Sequence, residues 1–111
     1  MISIIDYGLG NVQAFINAYT RLDIPVNVAK STNDLVSTNK IILPGVGSFD
    51  HAIEKFNASG LRDLIEQLVL DKGIPLLGVC IGMQMLAKSS EEGKLSGLGW
   101  IDGNVKKFDT S

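Results

Sequence analysis

Short apolar, β-branched runs alternate along this chain with stretches whose apolar positions recur every three or four residues. Ile2 to Ile5 has the pattern of a buried strand, stopped by the turn Asp6-Tyr7-Gly8-Leu9-Gly10-Asn11. Asn11 is placed to cap a helix whose apolar side carries Val12, Phe15, Ile16 and Tyr19. Pro25 to Ala29 alternates like a second strand, and Ser31 to Val36 forms a short helix or turn. Lys40-Ile41-Ile42-Leu43 is a third strand, ended by Pro44-Gly45-Val46-Gly47. Ser48 or Asp50 is the expected cap of a helix bearing Ala52, Ile53 and Phe56. After Gly60, a stronger helix sets Leu61, Leu64, Ile65, Leu68 and Val69 on one face and closes at Gly73. Pro75 to Val79 is a fourth strand running into Cys80. Gln84 to Lys88 opens a further helix, Ser89 to Gly99 is a polar loop, and Asn104 to Phe108 is a fifth, more exposed strand.

Repeated strand–helix–strand units predict an α/β fold: a mostly parallel, flavodoxin-like sheet with helices on both faces. Ligands of such sheets gather at the carboxyl ends of the strands. The three most glycine-rich turns follow the first, third and fourth strands, so they are expected on one edge of the sheet.

Composition narrows the possibilities. With 111 residues, 45% of them hydrophobic, the chain builds one modest domain over residues 1–111. A net charge of −2 without a basic block gives no reason to expect nucleic acid. The N-terminus lacks a basic region and meets Asp6 at once, unlike a signal peptide. No apolar run approaches the roughly 20 residues of a membrane helix. A single cysteine allows no internal disulfide and suits a reducing compartment, so a soluble, cytoplasmic protein is expected. No metal and no cofactor are expected. The Gly8-x-Gly10 pair has Gln13 where a dinucleotide fingerprint needs a small residue, and Val28-Ala29-Lys30 lacks the acidic residue of that motif.

The chemistry concentrates at Gly78-Val79-Cys80-Ile81-Gly82. A nucleophile on a sharp strand-to-helix turn crowds its neighbours, and glycines two residues to either side relieve that crowding. Such a turn also sets the sulfur at a helix start, where partial positive charge favours thiolate. The N–H of Ile81 is then available to an oxyanion. The turn Gly45-Val46-Gly47 allows close approach of backbone N–H groups to the same ligand. The turn at Tyr7 is either a tight capped turn or a partner-facing loop.

Together these segments, with Ser90-Glu91-Glu92-Gly93 and Gly97-Leu98-Gly99, resemble the class I (triad) glutamine amidotransferases over essentially the whole chain. Within them, the opening Tyr-Gly-x-Gly-Asn and the Ser-Glu-Glu-Gly stretch are most similar to the glutaminase subunits of imidazole glycerol phosphate synthase, which serve histidine biosynthesis. The resemblance implies that Cys80 attacks the side-chain amide of glutamine. It implies that Gly45, Val46, Gly47 and Ile81 hold the oxyanion, Val46 by rotating its peptide, and that Gln84 and Glu92 bind the amino-acid end. It implies ammonia transfer to a (β/α)₈-barrel synthase (cyclase) subunit, with the loop Tyr7 to Asn11 near that partner. The family completes its triad with a His-x-Glu pair that these 111 residues lack. His51 stands at a position the family does not use and has the setting of a surface residue at a helix start. The expectation is therefore an incomplete domain whose C-terminal part is missing, inactive alone and prone to self-association. Two other readings stay open: a non-catalytic interaction module of the same fold, and an amidotransferase subunit serving a different synthase.

Overall fold

The computed structural model describes residues 1–106. Four parallel strands, β1 (Ile2–Ile5), β2 (Val26–Ala29), β3 (Lys40–Leu43) and β4 (Leu76–Gly78), form a sheet of order β2-β1-β3-β4. The register sets Ile4 beside Ile42 and Leu43 beside Gly78, so the strands end level with one another. The chain steps outward from β1 to β2, then crosses back to β3 on the other side. The gap between β1 and β3 is thus the topological switch point, where α/β sheets place their ligands.

Helix α1 (Val12–Arg21) packs along β1 and β2. The Asn11 side chain caps it as expected, accepting from the Ala14 N–H at 3.2 Å. Its apolar residues are only half-buried. The other face of the sheet carries the main core. Ile5, Ile41 and Leu43 meet Ala52, Ile53 and Phe56 of α2 (Phe49–Ala58), with Leu61, Ile65 and Leu68 beyond. Alternation along the strands drives this division, since Ile5, Ile41 and Leu43 enter that core while their buried neighbours in sequence, Ile4 and Ile42, do not. Phe56 is fully buried, worth about 2–3 kcal/mol in area removed from water.

The segment Ser31 to Val36 is the expected short helix or turn, a 3₁₀ turn over Thr32–Leu35 fastened by the Asp34 carboxylate, which accepts from the Lys30 and Ser31 N–H groups. Other elements depart from the sequence reading. The expected long helix after Gly60 is α3 (Arg62–Glu66) followed by a π-turn, Gln67–Asp71. Gly73 ends it with φ +72, as a C-terminal glycine should. The helix expected from Gln84 begins earlier, as α4 (Ile81–Met85). The segment expected to be wholly loop contains β5 (Ser89–Ser90), which pairs in parallel with β6 (Asn104–Val105) in a separate two-stranded ladder. The fifth strand is therefore short and does not extend the main sheet. Its expected end at Lys107 and Phe108 lies outside the described residues. No described helix is long and apolar enough to cross a membrane.

Candidate active site

The three glycine turns do converge. A cleft of about 240 Å³ at the carboxyl ends of the strands is lined by Gly10 and Asn11 after β1, Pro44, Gly45 and Val46 after β3, and Val79 and Cys80 after β4. Ala14 and Phe15 of α1 close its side. These lining helix residues carried no signal beyond their apolar period.

Cys80 sits at the head of this cleft, exposed, with φ +57 and ψ −125. Positive φ is costly for a side chain with a Cβ, so surrounding contacts hold the turn in shape. Those contacts are the glycines. A Cβ on Gly78 would lie 2.7 Å from the Met83 Cα, and one on Gly82 would lie 2.0 Å from the Leu43 carbonyl oxygen. Only glycines at both positions let α4 press onto the ends of β3 and β4. The Met83 and Gln84 N–H groups donate to the Cys80 carbonyl at 3.0 and 3.4 Å, which turns the chain directly into α4.

Gly45 is clamped as tightly. Its missing Cβ would fall 2.7 Å from the Tyr7 hydroxyl and 2.8 Å from the Gly82 nitrogen. Val46 is half exposed (49%) and Gly47, with φ +87, has open space around it. The N–H groups of Gly45, Val46 and Ile81 donate to no acceptor among the described residues. Gly45 and Val46 line the cleft, so a ligand oxygen there would find donors not already spent, whereas Ile81 and Gly47 lie outside its lining.

Gln84 lies one turn along α4, half-buried, and its Oε1 is buried with no hydrogen-bond partner. Such an orphan acceptor is uncommon and costs free energy unless a donor arrives. Glu92 is different. It is exposed, sits outside the cleft lining, and its N–H donates to the Ser90 hydroxyl. The loop carrying it is nevertheless fastened. Asp50 does not cap its own helix, a task done by the Ser48 hydroxyl, which accepts from the His51 N–H. Instead, the Asp50 carboxylate accepts from the Leu95 and Lys94 N–H groups at 2.9 Å. These bonds, Leu95 first, hold its carboxyl below the usual carboxylate range. His51 is exposed on the first turn of α2. Among the described residues no cluster of three or more His, Cys, Asp or Glu could hold a metal ion.

Tyr7 is the residue whose part the sequence did not disclose. It is buried (6% exposed), with its hydroxyl donating to the Pro44 carbonyl at 2.6 Å and lying 3.4 Å from the Met85 sulfur. Burial pushes its pKa up to about 12. Of the loop expected to face a partner, Tyr7 therefore turns inward, while Gly8 and Asn11 are exposed.

A parallel sheet, a strained cysteine on a strand-to-helix turn and a facing glycine turn define an amidotransferase-type domain. Residues 3–107 match the family model described as glutamine amidotransferase class-I, and the chain belongs to that family. It is 58% identical over 108 residues to the imidazole glycerol phosphate synthase subunit HisH of Bdellovibrio bacteriovorus, covering 97% of this chain and 53% of that protein. It is 55% identical over 109 residues to the subunit of the same name from Leptospira interrogans, covering 98% and 53%. A solved structure described as the crystal structure of glutamine amidotransferase superposes with a TM-score of 0.75 at 22% identity, covering 95% of this chain and 55% of that one. That likeness speaks for the fold. The chain spans about half the length of the curated relatives it matches.

Proposed function

We propose that this chain carries the nucleophile half of a glutaminase that supplies ammonia to imidazole glycerol phosphate synthesis. The observation that carries the reading is Cys80, exposed at φ +57 at the head of a cleft whose opposite wall is Gly45-Val46. In this reading the Cys80 sulfur attacks the side-chain carbonyl carbon of glutamine. A C–S bond forms, the C–N bond breaks, and ammonia leaves with a proton delivered by an acid. Water then cleaves the thioester to glutamate and restores the thiol. The oxyanion of each adduct is taken by N–H groups of Gly45, Val46, Gly47 and Ile81, each worth roughly 3–4 kcal/mol in well-studied sites. In this reading Gln84 binds the amino-acid end of the substrate through its amide and Glu92 supplies negative charge to the ammonium; neither side chain is among those lining the Cys80 cleft. The ammonia passes to a (β/α)₈-barrel cyclase subunit, which releases imidazole glycerol phosphate and an aminoimidazole carboxamide ribonucleotide. The matched relatives are named as subunits of that synthase, which supports this assignment.

The only histidine of these 111 residues, His51, does not line the cleft, and a thiol needs a base to take its proton, so these residues alone are expected to turn over little glutamine. The second reading is a non-catalytic module of the same fold. A chloroketone analogue of glutamine separates the two. Selective labelling of Cys80 that free glutamine suppresses supports the glutaminase; labelling equal to that by a generic thiol reagent, unaffected by glutamine, refutes it. The reading also includes self-association, supported by β4 at the edge of the sheet with Leu77 57% exposed. A monodisperse monomer by light scattering refutes that part.

A further inference from the structure

We infer that Tyr7 is a positioning residue that fixes the foot of the Gly45-Val46-Gly47 turn, so that only its tip rotates when an oxyanion is bound. The inference rests on the glutaminase reading above.

The turn has two mechanical halves. Its foot is the Pro44–Gly45 peptide. The Tyr7 hydroxyl donates to the Pro44 carbonyl at 2.6 Å, and the space where a Gly45 Cβ would stand is closed by that hydroxyl on one side and the Gly82 nitrogen on the other. The carbonyl and N–H of a trans peptide point in opposite directions. With the carbonyl held toward Tyr7, the Gly45 N–H is directed to the other side, where Gly10 and the cleft lie. The tip is Val46 and Gly47. Val46 is 49% exposed, Gly47 adopts φ +87 with nothing near its missing Cβ, and neither is clamped.

Tyr7 is itself well braced. Its ring meets Phe56 edge-on at 5.6 Å, and Phe56 meets Trp100 in the same manner at 6.4 Å. The Trp100 indole N–H donates to Glu66 at 2.8 Å. The hydroxyl therefore has little freedom to follow a moving carbonyl. Its raised pKa keeps it a neutral donor throughout the range in which a thiol works. The first strand's turn thus governs the third strand's turn across the switch point.

The test compares the parent chain with Tyr7→Phe, which removes one hydroxyl and keeps the ring. Two rates are read at Cys80: alkylation by iodoacetamide, which needs only the thiol, and alkylation by the glutamine chloroketone, whose carbonyl must enter the turn. Tyr7→Phe is expected to leave the first within twofold and to lower the second about tenfold, the scale of one well-made hydrogen bond. The glutamine concentration giving half-protection should stay within twofold. Incorporation of 3-fluorotyrosine at position 7 keeps the donor and should restore the chloroketone rate. Equal loss of both rates, as a merely structural role would give, or an unchanged chloroketone rate, overturns the inference while leaving the glutaminase reading intact. A fluorotyrosine variant that stays slow also overturns it. A parent chain that glutamine does not protect overturns the reading itself, and the inference with it.

Discussion

Gly82→Ala tests how closely α4 is pressed onto the sheet. The added methyl would sit 2.0 Å from the Leu43 carbonyl oxygen, 2.9 Å from its carbon and 3.1 Å from the Pro44 carbonyl carbon. The first is about 1.4 Å short of an ordinary van der Waals contact, and all three neighbours are backbone, which cannot swing aside. Overpacking of this kind costs about 1–3 kcal/mol. The same Leu43 carbonyl accepts from the Val79 N–H at 3.0 Å, so retreat of α4 strains that bond at about 1 kcal/mol more. Alanine returns about 1 kcal/mol through better helix propensity. The net expectation is a loss of roughly 1–3 kcal/mol. Urea unfolding followed by circular dichroism at 222 nm should then shift its midpoint down by about 2 M, for a slope near 1 kcal/mol/M at this chain length. Gly60→Ala is the control. Its φ is +77 but its surroundings are open, so it should cost only the backbone strain of about 1 kcal/mol. A Gly82→Ala shift no larger than that of Gly60→Ala would refute the contact reasoning.

Two further perturbations follow from the geometry. Cys80→Gly removes the Cβ at φ +57 and should raise stability by about 1 kcal/mol in the same urea assay, whereas Cys80→Ala, which retains a Cβ, should not. Asp50 has its folded-state pKa held below its unfolded value by the Leu95 and Lys94 N–H groups, so its contribution is present above the unfolded value near 4 and is lost as pH falls through the folded one. Hydrogen exchange at Lys94 and Leu95 should therefore accelerate, relative to intrinsic rates, below about pH 4 in the parent, and be fast already at neutral pH in Asp50→Ala; equal protection in both would show that the carboxylate does not hold the loop.

The strands were legible because each is a short apolar or alternating run set between turn residues, with Pro44 closing β3 and Gly78 closing β4, and the level ends of β1, β3 and β4 follow from their being parallel. The elbow was legible for the same kind of reason. Gly78 and Gly82 mark places where backbone meets backbone, and that spacing is visible in a sequence. The start of α4 was legible only through the elbow, which sets a helix start at Cys80; apolar period alone places it at Gln84, because five residues hold too little of it and a glycine in the first turn argues against a helix. Contact with the Leu43 carbonyl decides it instead. The π-turn after Glu66 was masked by a regular apolar period that continues through Leu68 and Val69. The two-residue strands β5 and β6 depend on a long-range pairing that Ser89-Ser90 does not announce. At the site, Tyr7 and Asp50 act on turns 37 and 44 residues away. No local pattern encodes such pairings, so one looked like part of a loop and the other like a helix cap.

The line of edge-on rings from Tyr7 through Phe56 to Trp100 has an optical consequence. Trp100 is the only tryptophan in the chain, and its indole N–H is held by Glu66. Its emission therefore comes from a single place, two rings away from the turn that faces Cys80. Tyrosine-to-tryptophan energy transfer across that stack gives a label-free signal of whether this layer is assembled.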